Sequence, residues 1–318
     1  MARAMGKGGL GRALCATGIL VAAAGAANAA EDGVSFYLLG SRANGLAGAT
    51  PPPGLYYQSD TYLYSGSVGK TIDLPIDGKI AAGVDAKALL GLSTLLYVTP
   101  AQIGGGNLAF TVTIPTGWQK VSAFIGPLKQ EDSVTAFGDP VLGSFVGWHA
   151  GNFHWQTGVA VNVPIGQYDA SSLANISFHR WAADLYGATT WLDPKTGLDI
   201  SNTIGITFNG ENPATDYRTG TEFHWEGAIT QNFSKQFSAG VAGYFYDQLT
   251  GDSGSGAVLG PFEGETAAVG AVLGYNFMMG HRPVSAKLKY FHEFDVKNRL
   301  QGDSGFLTVS FPLWVAQK

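Results

Sequence analysis

Along most of this chain apolar and polar residues alternate one for one in runs of ten or more, and short turn sequences separate the runs. Leu198, Ile200, Asn202, Ile204, Ile206 and Phe208 share one face, whereas Asp199, Ser201, Thr203, Gly205 and Thr207 share the other. A period of two puts alternate side chains on opposite faces of a strand, one greasy and one wet. Asp193-Pro194-Lys195-Thr196-Gly197 just before this run predicts a tight turn, with Pro at the first central position and Gly free to take a positive φ. Trp181 to Phe208 is therefore a hairpin.

The same pattern predicts ten further strands: Leu55–Gly66, Lys79–Val98, Gly106–Ile125, Pro140–Trp148, Phe153–Val163, Gly220–Phe233, Phe237–Gln248, Glu263–Phe277, Pro283–Phe294 and Asp303–Trp314. Residues 126–138 are expected as a loop. Ala86–Leu90 also suits a helical turn, Pro115 predicts a bulge or strand end, and fourteen strands, with two more in the N-terminal third, is an open alternative to twelve. Connections after even-numbered strands are short and those after odd-numbered ones longer. That alternation, with strands this long, predicts an all-β transmembrane antiparallel up-and-down β-barrel with short periplasmic turns and longer extracellular loops. A soluble sandwich would use strands nearer five or six residues.

Composition sharpens this picture at the N-terminus. Arg3, Lys7 and Arg12 precede an apolar run from Ala16 to Ala27 and an Ala27-Asn28-Ala29 cleavage site, so residues 1–29 are expected to be an export signal. The only cysteine, Cys15, lies within that leader. The formal charge is −5 and turns more negative without the leader, which excludes a basic nucleic-acid surface. No charge-free stretch after the leader is long enough for a spanning helix. Residues 30–54 lack a period and end in three prolines, so they are expected to be a lead-in or lumen plug ahead of a barrel over residues 55–318.

Aromatic residues add two belts, as expected where rings settle at membrane interfaces. Trp148, Phe153, Trp155, Trp191, Phe233, Phe237, Phe277 and Trp314 lie close to the short turns, and Phe208, Phe223, Trp225, Tyr244 and Tyr290 lie toward the other ends.

The stretches GWHAGNFHWQTGVAVNVPIGQYD, WLDPKTGLDIS, TFNGENPATDYRTGTEFH and KYFHEFDVKNRLQGDSGFLTVSFPL resemble the proteobacterial outer-membrane transporters of the meta-pathway of phenol degradation. The resemblance covers nearly all of the chain after the leader. It implies passage of aromatic, poorly water-soluble compounds across the outer membrane. SRANGLAGATPPPG is more weakly similar to the lumen-occluding segment of outer-membrane fatty-acid transporters, which implies a plug before Leu55. Many barrels end on an aromatic residue recognised by the assembly machinery; here Val315-Ala316-Gln317-Lys318 follow Trp314.

By phase, Arg180, Asp184, Asp199, Glu222, His224, Glu226, Lys287, Lys289 and Glu293 point into the lumen, because a Lys or Arg on the lipid face costs about 2–4 kcal/mol near the midplane. They are candidates for a polar constriction or for a network bracing the lumen. Tyr244, Tyr246 and Phe306 are inward too, as apolar steps for an aromatic ligand or as filler. Asn175, Ser177 and His179 alternate ahead of a strand in the residue types of a barrel phospholipase, but polar residues there are common and no enzyme is expected. The histidines lack metal-ligand spacing, so neither metal nor cofactor is expected. The expected partners are outer-membrane lipid, lipopolysaccharide, the barrel assembly machinery and a small hydrophobic or aromatic ligand. A structural or adhesive barrel and a general diffusion porin are the competing functions.

Overall fold

The structure is a computed structural model that describes residues 31–69, 73–76, 79–125 and 127–316. The expected leader, with Cys15, lies outside the described residues. The strands are β1 (Gly54–Ser67), β2 (Asp73–Ile76), β3 (Lys79–Ile103), β4 (Gly106–Ile125), β5 (Leu128–Phe137), β6 (Val141–Ala150), β7 (Phe153–Asn162) and β8 (Ala182–Leu192). They continue as β9 (Leu198–Asn209), β10 (Glu211–Asn212), β11 (Tyr217–Arg218), β12 (Glu222–Asn232), β13 (Phe237–Gln248), β14 (Glu265–Met279), β15 (Arg282–Lys297) and β16 (Gln301–Val315).

Twelve of these close a ring. β1, β3, β4, β6, β7, β8, β9, β12, β13, β14, β15 and β16 pair in that order, each antiparallel to the next, and β16 returns to β1 from Gly54↔Val315 to Ser67↔Gln301. Closure leaves the ring without a free sheet edge, the condition for crossing a bilayer with strands. The predicted alternation holds along the wall. In β9, Asp199, Ser201 and Thr203 are buried inside while Ile200, Ile204, Ile206 and Phe208 are exposed outside. Tyr244 is not part of the outer belt; it is buried inside the barrel, because β13 places it on the face of Ala242 and Tyr246.

One expectation is corrected near the N-terminus, and two readings left open there are settled in favour of the strand and of twelve staves. Residues 128–137, expected as loop, form β5, which pairs only with the second half of β4 (Thr116↔Phe137 to Ile125↔Leu128). β5 carries polar residues on both faces at Lys129–Ser133 because it extends past the ring, so no greasy face announces it. Ala86–Leu90 is strand rather than helix, held between β1 and β4 by the hydrogen bonds of both neighbours. The fourteen-strand alternative resolves into twelve staves with β2 and β5 added to the sheet outside the ring.

Pro115 is where β4 changes partner. β6 pairs up to Thr113, β5 begins at Thr116, and the Gly138 amide donates to the Pro115 carbonyl at 3.0 Å. A proline has no amide to give to a ladder, so the junction between β5 and β6 falls there.

The phase of the wall predicts a large asymmetry in tolerance. Ile204, outward and half exposed, should cost about 2–4 kcal/mol when changed to Arg, read as a lowered urea midpoint for folding into lipid vesicles. No change in that midpoint would contradict the membrane-facing assignment.

Candidate functional site

Inside the ring lies residues 31–53, a segment with no regular structure beyond one 3-10 turn at Glu31–Gly33. Its amides and carbonyls have no ladder to join, and buried backbone groups without partners cost free energy. The inward-facing charges of β9, β12 and β15 supply many of those partners. Glu226 accepts from the Gly40 and Arg42 amides at 2.6 and 2.7 Å, while the Lys289 ammonium donates to the Gly40 and Ser41 carbonyls at 2.6 and 2.7 Å. Lys287 donates to the Asn44 side chain at 2.6 Å and to the Gly45 carbonyl at 3.0 Å, and Asp199 accepts from the Leu46 amide at 2.9 Å.

Toward the long-loop end the pattern continues with side chains. Ser35 and Tyr246 donate to one Glu222 oxygen at 2.6 and 2.7 Å. Asp184 and His224 meet at 2.9 Å, and the Tyr37 ring stacks on the His224 ring at 3.5 Å. The Arg42 guanidinium lies 3.8 Å from the centre of the Tyr186 ring. Glu31 ends the segment, paired with Arg180 at 3.3 Å and accepting from Asn212 and Thr215 of the β9–β12 connection.

Two glycines let the segment lie this close. Gly40 has φ +85°, and a Cβ there would meet the Phe291 and Phe306 rings at about 3 Å. At Gly48 a Cβ would stand 2.7 Å from the backbone of His154 and Thr189.

The long-loop end over this half is closed by a second network. Asp252 accepts from the Tyr217 hydroxyl, from the Gly220 amide at 2.9 Å and from Gln248 at 2.6 Å. Burial pushes its carboxyl up to about 6. A raised carboxyl favours the protonated folded form, so its contribution is complete at low pH and is lost as pH rises through about 6.

The segment fills one side of the lumen and leaves the other open. A cavity of about 1110 Å³ lies between it and the wall of β1, β3, β4 and β6. Tyr56, Tyr62, Tyr64, Leu90, Leu92, Leu96, Pro115 and Phe145 line it from the wall, and Val34, Phe36, Leu38 and Leu46 from the segment. Its long-loop end meets an apolar cluster of Val84, Val121, Leu173 and Leu300, and its other end reaches Gln236, Met278 and Pro283 near the short turns.

Every candidate residue lies inside the barrel, but they divide by what they touch. Arg180, Asp184, Asp199, Glu222, His224, Glu226 and Lys289 hold the segment or one another, and Tyr246 and Phe306 pack beneath it. Tyr244, Lys287 and Glu293 also border the cavity. Asn175, Ser177 and His179 do not converge on one point: Ser177 donates to Asp139 at 2.6 Å, His179 stacks on Tyr168, and Asn175 bonds Asp169. Sequence reasoning missed the cavity's tyrosines, although the density of tyrosine in β1 was visible, and it missed Glu31, Arg42 and Arg299, which no period governs.

A closed twelve-stranded ring with an occupied lumen and a lipid-type exterior defines the class: a transmembrane β-barrel of the outer-membrane channel fold. Residues 69–309 match the family described as "Putative MetA-pathway of phenol degradation", and the chain belongs to that family. In structure it is similar to the COG4313 outer membrane channel of Pseudomonas putida F1, with 14% identity, 86% of this chain and 98% of that one covered, and a TM-score of 0.66. Looser likenesses are to the transport unit of the autotransporter AIDA-I of Escherichia coli (9% identity, 87% and 94% covered, TM-score 0.47) and to a Pseudomonas aeruginosa FadL homologue (10%, 81% and 87%, TM-score 0.38). No curated protein matches the chain in sequence.

Removing one anchor should loosen the segment without opening the ring. Glu226→Ala takes away the acceptor of two buried amides and the counter-charge of Lys289, a loss of about 1–3 kcal/mol for each group left unpaired. Single-channel ion conductance in planar bilayers is expected to rise. Conductance equal to that of the parent would contradict the anchoring role.

Proposed function

We propose that the chain is an outer-membrane conduit for small hydrophobic, chiefly aromatic, compounds. The observation that carries this reading is the cavity lined by tyrosine, leucine and phenylalanine that runs along one wall while the segment fills the rest. Ligand sites are concave, largely apolar and furnished with a few polar groups, and Gln58, Asp60 and Gln119 supply such groups here. The family supports an aromatic cargo through the pathway in its description.

In this reading the leader exports the chain, the short turns face the periplasm, and the long loops stand among lipopolysaccharide. β16 is the strand offered to the assembly machinery. The anchored segment acts as a plug against water-soluble solutes: a sugar would have to displace the hydrogen bonds that Glu226, Lys289 and Asp199 make to it. An aromatic molecule need only exchange apolar contacts along the cavity.

Flux into proteoliposomes tests this. A labelled monoaromatic should enter with saturating kinetics after bare-lipid leakage is subtracted, and a sugar of similar size should not. Equal passage of both would make the barrel a general porin, and passage of neither would make it structural.

A further inference from the structure

Arg299 lies between β15 and β16 at the long-loop end and borders the cavity. It is 8% exposed, and its Nη1 is buried without an acceptor among the described residues. It takes part in none of the ion pairs among those residues. Its guanidinium carbon sits 4.1 Å from the centre of the Tyr246 ring, which holds the plane but accepts no N–H in a directed bond. A guanidinium has five donors and no acceptor, so burying it unspent is costly.

The nearby carboxylates are committed elsewhere. Glu293 accepts from the hydroxyls of Tyr64 and Tyr244 and from the Gly302 amide, each at 2.9 Å. Glu222 accepts from Ser35, Tyr246 and Asn209. Leu300, next in the chain, belongs to the apolar cluster at the mouth of the cavity, against which Tyr64 packs. An unspent donor thus stands where an apolar surface and a tyrosine face meet.

We infer that Arg299 is the polar determinant of a ligand subsite that recognises an apolar molecule bearing one uncharged oxygen acceptor, such as a phenol, alcohol or ketone oxygen. The apolar body lies on Leu300 and Tyr64 while the oxygen accepts from the guanidinium. A neutral acceptor fits better than an anion, because Glu222 and Glu293 already exceed the single positive charge of Arg299. A pure hydrocarbon would leave the guanidinium unspent, so the subsite distinguishes oxygenated from unoxygenated cargo. The inference rests on the conduit reading and adds to it which molecules enter first.

The test is equilibrium binding to the full barrel in lipid nanodiscs, with empty nanodiscs subtracted, for p-cresol, p-xylene and 4-methylbenzoate. The parent should bind p-cresol about tenfold more tightly than p-xylene, the ratio expected for a hydrogen bond to a charged group. Arg299→Met should bring that ratio close to one by weakening p-cresol alone, and Arg299→Gln, which keeps an uncharged donor, should retain part of it. Thermal melting should show both variants still folded at the temperature of the binding measurement, so that a lost ratio is not a lost barrel. A ratio that survives Arg299→Met and Arg299→Gln, a ratio near one in the parent, or tighter binding of 4-methylbenzoate than of p-cresol would overturn the inference while leaving the conduit standing. Failure of the parent to bind either neutral probe would overturn the conduit reading as well.

Discussion

Residues 31–53 and the inward charges of the wall need each other. The segment has backbone amides and carbonyls that no ladder satisfies, and the wall has carboxylates and ammonium groups that a narrow lumen partly strips of water. Glu226 with the Gly40 and Arg42 amides, and Lys289 with the Gly40 and Ser41 carbonyls, answer both demands in one place. Unpaired, either set would carry the penalty of a buried polar group. The tight fit at Gly40 and Gly48 follows, since the bonds form only if the segment lies against the wall.

The pairing also divides the lumen. A ring of twelve strands encloses more space than its own side chains fill. The charged arc from β9 to β15 draws the segment to itself, whereas the opposite arc of β1, β3, β4 and β6 presents Leu90, Leu92, Leu96 and Phe145, with the Tyr56 hydroxyl donating to the Pro52 carbonyl at 2.7 Å. What is left is an apolar passage beside a polar stopper. Selectivity for hydrophobic cargo then comes from placement: the polar half is spent on the segment and the greasy half is free.

Much of the wall was legible in the sequence because a bilayer enforces one rule on every residue that crosses it. Ile204 out and Thr203 in is a decision written in alternation, and the same rule placed Glu226, Lys289 and Asp199 inside. The rule lapses beyond the membrane, where β5 is polar on both faces and reads as loop. It is also silent about partners distant in the chain. Glu31 finds Arg180 and Asn212, and Tyr37 finds His224, through closure of the whole ring. Tyr246 and Phe306 were inward by phase, yet only the folded lumen reveals that they support the segment while Tyr62 and Tyr64 face the cavity.

The most direct test of this division is a crystal of the barrel soaked with a bromine-labelled monoaromatic and measured at the bromine absorption edge. The account predicts anomalous peaks between residues 33–51 and the β1, β3, β4 and β6 wall, with the segment still bonded to Glu226 and Lys289. Peaks confined to the lipid-facing surface, or a label seated where Gly40 and Ser41 now lie, would contradict it.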